Sequence, residues 1–432
     1  MYNVLLINAL VYIFTLLFSI YRQKELNMYV LVWLLNTVIA VSGYLCVENG
    51  YYYSTDSQLG YKLSIVPYIF VYLTIFLMTY PIKNINFKAT RIDSYSKNRI
   101  LKYLVYLGGV VNVALSIMKG SEAYITSQIG FGEAYAVGTS EGGSLVTYSN
   151  PLLALLSGWG TTFSSVFMPI FVLLYISRLY SKDGHKILNI VGIVISFLPH
   201  ILNQLSHGSK GGLFFVFFDV IFFYILFKHL LSKKLKKTIL LLGVILTALL
   251  VMGAYIIDEG RIETRNSDKE AKETLITYMG ESMVNIGYIF YDKVRQHPNG
   301  RRFYPELFGK NERRSQDDNI FYWHNYTGVE IQMFKTFWGD CYIEFSLFGS
   351  IIYILILYAI WERFVLRKCY KTYILPLFFY YYHYFLIWGI FSHGFTGTKS
   401  HIMFIYLVIA CVILKINDEG PIQNIKKQFR MT

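Results

Sequence analysis

The sequence predicts an all-α, polytopic integral membrane protein, and three observations point there. Eleven apolar runs of about 18 to 25 residues recur along the 432-residue chain. The polar segments between them alternate strongly in positive charge. One hydrophilic insert, Asp258–Asp340, is far longer than the other connections. A helix needs about 20 apolar residues to cross roughly 30 Å of hydrocarbon, with its backbone polar groups paired internally. A composition that is 54% hydrophobic, with a mean hydropathy of +0.41, suits such helices and does not suit a soluble core.

In order, the runs lie near residues 3–20, 28–47, 63–82, 100–117, 151–177, 187–205, 211–231, 238–257, 341–361, 373–391 and 400–415. The first is expected to stay as an anchor, because Met1-Tyr2-Asn3 has no positive charge and no Ala-x-Ala site follows. The fifth is long and contains Pro169, which predicts a kink or tilt. No linker separates a soluble domain, so residues 1–432 read as one membrane body.

Charge sets the expected orientation. Segments after the odd-numbered runs, up to the C-terminal tail, hold 24 of the 40 Lys and Arg, while the short alternate loops hold only Lys62, Lys119, Lys210 and Lys399. Basic loops stay on the cytoplasmic side, so the N-terminus is predicted outside and the C-terminus inside. The insert then falls outside. Its twelve basic residues do not oppose this, because long loops translocate largely regardless of charge. The net charge of +13 reads as topology and contact with anionic membrane lipids, not as nucleic-acid binding.

Two outer segments are large. Residues 120–150 are Gly/Ser-rich and read as a flexible lid or crossing loop. The insert 258–340 predicts a helix from about Lys269 to Val294. Leu275, Tyr278, Met279, Met283, Ile286 and Ile289 or Phe290 form its apolar face, so it is expected on the membrane surface or over the body. An insert of this length is usually a functional lid or part of a site.

Several residues could carry chemistry. Asp340 and Glu344 share one helix face at the start of the ninth run. They are either a well-capped helix start or a general base, since paired carboxylates can push one pKa toward neutrality. Arg261 and Arg265 follow the eighth run closely, where a lipid-linked pyrophosphate would lie. Arginine grips phosphate oxygens in bidentate fashion. Arg295, Arg301, Arg302, Arg313 and Arg314 read instead as solvated surface. His324 has aromatic neighbours that suit either sugar stacking or plain packing.

Gly208-Ser209-Lys210-Gly211 opens the seventh run, and Gly397-Thr398-Lys399-Ser400 opens the eleventh. Helix N-termini attract phosphate, although the same residues also serve as ordinary caps and interfacial anchors. Asp219 lies mid-run and is either a helix–helix hydrogen bond or a step on a proton path. His200 and His383 read mainly as packing residues. The four cysteines have no zinc or disulfide spacing, and Walker, Asp-x-Asp and His-Glu-x-x-His sequences are absent. No metal or cofactor is therefore expected.

Taken together, the eleven runs, the dominant insert before the last three, Gly208-Ser209-Lys210-Gly211, Arg261 with Arg265, and Gly339-Asp340-x-Tyr342-x-Glu344-x-Ser346-x-x-Gly349 resemble the bacterial O-antigen (Wzy-type) repeat-unit polymerases. The family more usually has Arg where Lys210 stands. The resemblance implies a GT-C-like, metal-independent glycosyltransferase of the bacterial inner (cytoplasmic) membrane, with a large periplasmic loop at 258–340 and a smaller one at 120–150. It would transfer a growing glycan from undecaprenyl pyrophosphate to an incoming lipid-linked repeat unit.

In that scheme Asp340, Glu344 or His324 serves as base, while Arg261 and Arg265 meet the leaving pyrophosphate. Gly208, Ser209, Lys210, Thr398, Lys399 and Tyr278 contact substrate. A chain-length regulator and a flippase would be partners. A lipid-glycan flippase or other transporter, and an O-antigen ligase, remain alternatives.

Overall fold

The computed structural model describes residues 3–428 apart from 53–57, 85–98, 131–149, 180–185, 258–270, 309–315, 369–370, 395 and scattered positions between 234 and 254. The regular elements among the described residues are helices. Seven of them are long and apolar enough to cross a membrane, and Gly211–Phe227 and Ser400–Lys415 are shorter apolar helices. These nine match nine of the eleven predicted runs and fit a multi-pass membrane protein. The eighth run, 238–257, lies largely outside the described residues. The tenth, 373–391, is not one helix. It divides into a short α-helix Leu375–Tyr381, a π turn Tyr382–Ile387 and a 3-10 turn Trp388–Ile390.

Contacts divide the chain into two compact units. The first comprises Met1–Ile85, Ser267–Leu366 and Tyr380–His401. It begins with α1 (Val4–Gln23) and α2 (Met28–Glu48), joined by a short turn. Asn3 caps α1 by accepting from Leu6 N, and Asn27 caps α2 by accepting from Val30 N, which satisfies donors that a helix start leaves open. The turn itself is closed by Lys24 in the left-handed region, φ 55°, whose N–H bonds Ile20 O. One face of α1, including Phe14, Leu17 and Phe18, is exposed as a lipid-facing stripe would be, whereas α2 is mostly buried. After α3 (Leu59–Lys62), α4 (Val66–Thr79) carries Pro67 in its first turn, where a missing N–H costs nothing.

The second unit holds α5 (Arg99–Ile129), α6 (Pro151–Leu179), α7 (Lys186–Ser206) and α8 (Lys210–Phe227). α5 continues well past the predicted end of the fourth run, so residues 120–129 are helix and not loop. A buried ion pair, Lys119 Nζ to Glu122 Oε2 at 2.9 Å, sits in that extension, and Thr126 donates to Ser206 O at 2.9 Å on α7. Pro169 lies inside α6, and Pro199 lies inside α7.

Within the first unit, the predicted helix of the insert is present as α9 (Ala271–Asn285), running on into a π turn at Ile286–Phe290. It is not a surface helix. Met283, Val284 and Ile286 are fully buried, while Leu275, placed on the predicted apolar face, is exposed. α9 lies directly on α2, where a Cβ at Gly280 would stand 2.5 Å from Gly43 N and from Ser42 O. Only glycine permits such backbone proximity. The insert then contributes α10 (Gln316–Thr327) before α11 (Thr336–Phe364).

α11 corresponds to the ninth run but starts earlier and is broken. Ser346 has φ 63° and ψ −175°, a region that essentially only glycine occupies. Before the break, every residue from Thr336 to Glu344 is buried. Beyond it, Phe348, Ile352, Ile356, Ile360 and Phe364 are exposed along one face. The first segment is therefore an interior half-helix, and the second has the surface of a lipid-facing span.

Candidate functional site

The half-helix 336–345 carries both predicted carboxylates into a charge cluster. Its partner is the turn Pro298-Asn299-Gly300, where Asn299 at φ 55° and Gly300 at φ 91° take the left-handed conformations these residue types tolerate. The turn projects Arg302 inward. Its Nε donates to Glu344 Oε2 at 3.0 Å and its Nη2 to Asp340 Oδ1 at 2.8 Å, while its backbone N–H reaches Glu344 Oε1 at 3.1 Å. The second Asp340 oxygen accepts from the His393 backbone N–H at 2.8 Å. Lys335 Nζ stands 3.5 Å from Asp340 Oδ1 and donates to the carbonyls of Met333 and Ile331.

Two cations thus face two carboxylates, and the ionised cluster is neutral. That balance lets it be buried, since an unpaired interior charge is costly. Arg302 loses solvation on burial, yet Asp340 and Glu344 outweigh that loss and hold its guanidinium more firmly protonated than usual. Burial pulls Lys335 down to about 8, with Asp340 opposing and Arg302 adding to the shift. Burial likewise pushes His393 down to about 3, so its imidazole is neutral. That ring is boxed by Phe303, Phe337 and Phe385, and its Nε2 lies 3.0 Å from Tyr353 Oη.

The same turn caps the half-helix. A helix that stops leaves carbonyls without partners. Here Ile343 O accepts from His297 Nδ1 at 2.9 Å, Glu344 O from Asn299 N at 2.8 Å, and Asp340 O from Arg302 Nη2 at 3.2 Å. The polar turn 297–302 therefore replaces the hydrogen bonds lost at Ser346, as buried irregular backbone requires.

The remaining predicted site residues are dispersed. Tyr278 is on α9, packed edge-on against Phe334 and at a tilt to Phe391, near the backbone that anchors Lys335. His324 is on α10. Its Nδ1 is buried with no hydrogen-bond partner among the described residues, and neither a hydrogen bond nor an ion pair joins it to Asp340 or Glu344. Ser209 is the N-cap of α8, accepting from Gly212 N at 3.2 Å, and Gly208 precedes it at φ 56°. Lys210 is the first residue of that helix, in the second unit. Thr398 and Lys399 are in the first turn of α13 (Gly397–Gln428), where their side chains lie outside the described positions; α12 is the short helix Leu375–Tyr381. Arg261, Arg265, Arg313 and Arg314 lie outside the described residues.

Arg302 corrects the sequence reading, which groups it with solvated surface arginines. Its side chain is only 13% exposed. Its neighbours Arg295 and Arg301 are exposed, as that reading expects. The available signal was indirect: two carboxylates one helical turn apart need a cation if they are buried. Nothing in the residue types distinguishes which of five arginines supplies it. Among the described residues, no three His, Cys, Asp or Glu side chains gather as metal ligands would. Asp219 is buried on α8, and His200 Nε2 lies 3.2 Å from Ser164 Oγ within the second unit.

No family model matches the chain, and no curated protein or solved structure was found to match it.

Proposed function

We propose that this protein is a polymerase of lipid-linked oligosaccharide repeat units, a GT-C-like glycosyltransferase of the bacterial inner membrane. In this reading the chain crosses the membrane about eleven times, with its N-terminus outside, its C-terminus inside and the insert in the periplasm. The growing glycan passes from undecaprenyl pyrophosphate to a hydroxyl of the incoming unit, and a flippase and a chain-length regulator are its partners.

One observation carries the proposal. The insert is tied into the helical body by Arg302, which clasps both carboxylates of the Gly339–Gly349 stretch, one of the features behind the family resemblance. An insert bound in this way suits a site built from loop and helix together. The clasp makes Asp340 and Glu344 the rigid floor of that site, since both are engaged and nearly inaccessible. Arg261 and Arg265 would supply fixed charge to the departing pyrophosphate, replacing a metal.

A transporter of lipid-linked glycans is the second reading, favoured by Asp219 and the Lys119–Glu122 pair buried in helices of the second unit. Deleting the gene separates the two. Loss of a polymerase leaves single repeat units at the cell surface, whereas loss of a flippase leaves none. Loss of a ligase leaves full-length glycan on its lipid carrier. Arg261→Ala and Arg265→Ala are expected to give the single-unit phenotype at unchanged protein level, and normal chain length in both would defeat their assignment.

A further inference from the structure

The proposed transfer needs a group to take the acceptor hydroxyl's proton, and the carboxylates of the half-helix are poorly placed for it. Asp340 is 3% exposed and Glu344 is fully buried, and the carboxylate oxygens of both accept bonds from Arg302 or the His393 backbone. Using either as a base would break the clasp. No hydrogen bond or ion pair joins His324 to them, and His393 is enclosed by aromatic rings.

His297 is different. Its Nδ1 faces the Ile343 carbonyl at 2.9 Å, and a carbonyl only accepts, so the proton sits on Nδ1. With that proton on Nδ1 the lone pair lies on Nε2, which makes no hydrogen bond among the described residues. A backbone carbonyl that fixes one nitrogen in this way defines the tautomer and aims the other. The residue is half-buried and lies against Tyr342, whose ring in turn packs on the half-buried Tyr291. Exposed Arg295 and Gln296 precede it, and buried Pro298 and exposed Asn299 follow. His297 therefore stands on the rim between the buried cluster and open surface, and beyond the buried Tyr342 the half-buried Tyr291 offers a ring of the kind that sugars stack on.

Resting on the polymerase reading, we propose that His297 is the general base of the transfer and that the rim it shares with Tyr291 takes the acceptor sugar. Nε2 accepts the proton of the acceptor hydroxyl as its oxygen bonds to the anomeric carbon of the donor glycan. The bond from that carbon to the pyrophosphate oxygen breaks, and the pyrophosphate leaves with the electron pair. The imidazolium then returns its proton to water.

His297→Asn separates this role from capping, because the Asn amide nitrogen overlays Nδ1 and can still donate to Ile343 O, while no base remains at Nε2. In the native host, this variant is expected at wild-type protein level and melting temperature, with polymerised surface glycan on gels falling by about a hundredfold or more, the scale of general-base catalysis. Wild-type chain length in His297→Asn overturns the proposal and leaves His297 as a cap. If gene deletion fails to yield single repeat units, the polymerase reading itself is wrong. If deletion yields them and His297→Asn does not, only the base assignment is wrong.

Should His297→Asn not accumulate, the wild-type protein decides. Diethylpyrocarbonate is applied to membrane vesicles carrying the host's own lipid-linked units, with modification read by mass spectrometry. Carbethoxylation at His297 that stops polymerisation supports the proposal. An unreactive ring, or continued polymerisation with His297 modified, overturns it.

Discussion

Arg302 spans Asp340 and Glu344 with a single guanidinium, Nη2 at 2.8 Å from one carboxylate and Nε at 3.0 Å from the other. Both bonds are charge-assisted and both acceptors are buried, so the arginine determines whether those carboxylates can remain ionised there. Arg302→Ala strands two buried negative charges against Lys335 alone. Removing one partner of a buried ion pair costs about 3–5 kcal/mol. Thermal denaturation of the detergent-solubilised protein should show a large drop in Tm. Arg302→Lys should fall between, since an ammonium cannot present the planar fork that reaches both acids. A wild-type Tm for Arg302→Ala would mean the cluster does not hold the insert in place.

Ser346 is held where side chains are disfavoured, with φ 63° and ψ −175°. A residue in that region stores about 1–3 kcal/mol, which glycine does not. Ser346→Gly should therefore raise Tm, and Ser346→Val should lower it, because a β-branched residue fits that backbone worst. An unchanged Tm in Ser346→Gly would show that the break carries no strain.

The contact of α9 with α2 makes a contrast between two glycines. A Cβ at Gly280 meets the backbone of Ser42 and Gly43 at 2.5 Å, whereas one at Gly158 on α6 meets nothing within 4 Å. Gly280→Ala should be destabilising by at least about 1–3 kcal/mol, as overpacking of a fixed backbone is. Gly158→Ala should be neutral or stabilising by up to about 1 kcal/mol, from helix propensity. Equal Tm values for the two variants would contradict the packing of α9 on α2.

His393 gives the first unit an acid sensitivity. Its folded pKa is pushed down to about 3 by burial, from 6.5 in the unfolded chain. The unfolded state then binds the extra proton first. The stability contributed by the neutral ring is fully present above pH 6.5 and is lost as pH falls toward 3. Tm should decline from pH 7.5 to 5, and the decline should be shallower in His393→Phe. Glu281, whose pKa burial raises, works in the opposite sense in both proteins, so the difference between them isolates the histidine. Parallel pH profiles would mean that His393 is not held neutral.

The hydropathy pattern located most helices because a lipid-facing or interior helix must be apolar over a fixed length. α1, α2, α4, α5, α6, α7, α8 and α11 all fall on predicted runs. α9 was legible too, although its environment was not. The predicted face included exposed Leu275, because periodicity finds an apolar side but not what covers it. The break at Ser346 left no mark in the sequence: neither glycine nor proline stands there, and Phe345 and Leu347 read as continuous span. The tenth run likewise gives no local sign of a π turn at Tyr382–Ile387.

The site was half legible. The spacing of Asp340 and Glu344 puts them on one helix face whatever surrounds them, since that follows from helical geometry alone. Ser209 as the cap of α8 follows from local hydrogen-bonding chemistry in the same way. Short-range rules of this kind act within one or two turns, and length and polarity add the apolar spans. The ties between Arg302 and Asp340, His297 and Ile343, and Asn299 and Glu344 join positions about forty or more residues apart. Any of several arginines could have served the carboxylates. The choice of Arg302, its burial, and the free edge left on His297 come from the packing of a polar turn against a broken helix, where carbonyls and charges shut off from water must find their partners across the fold.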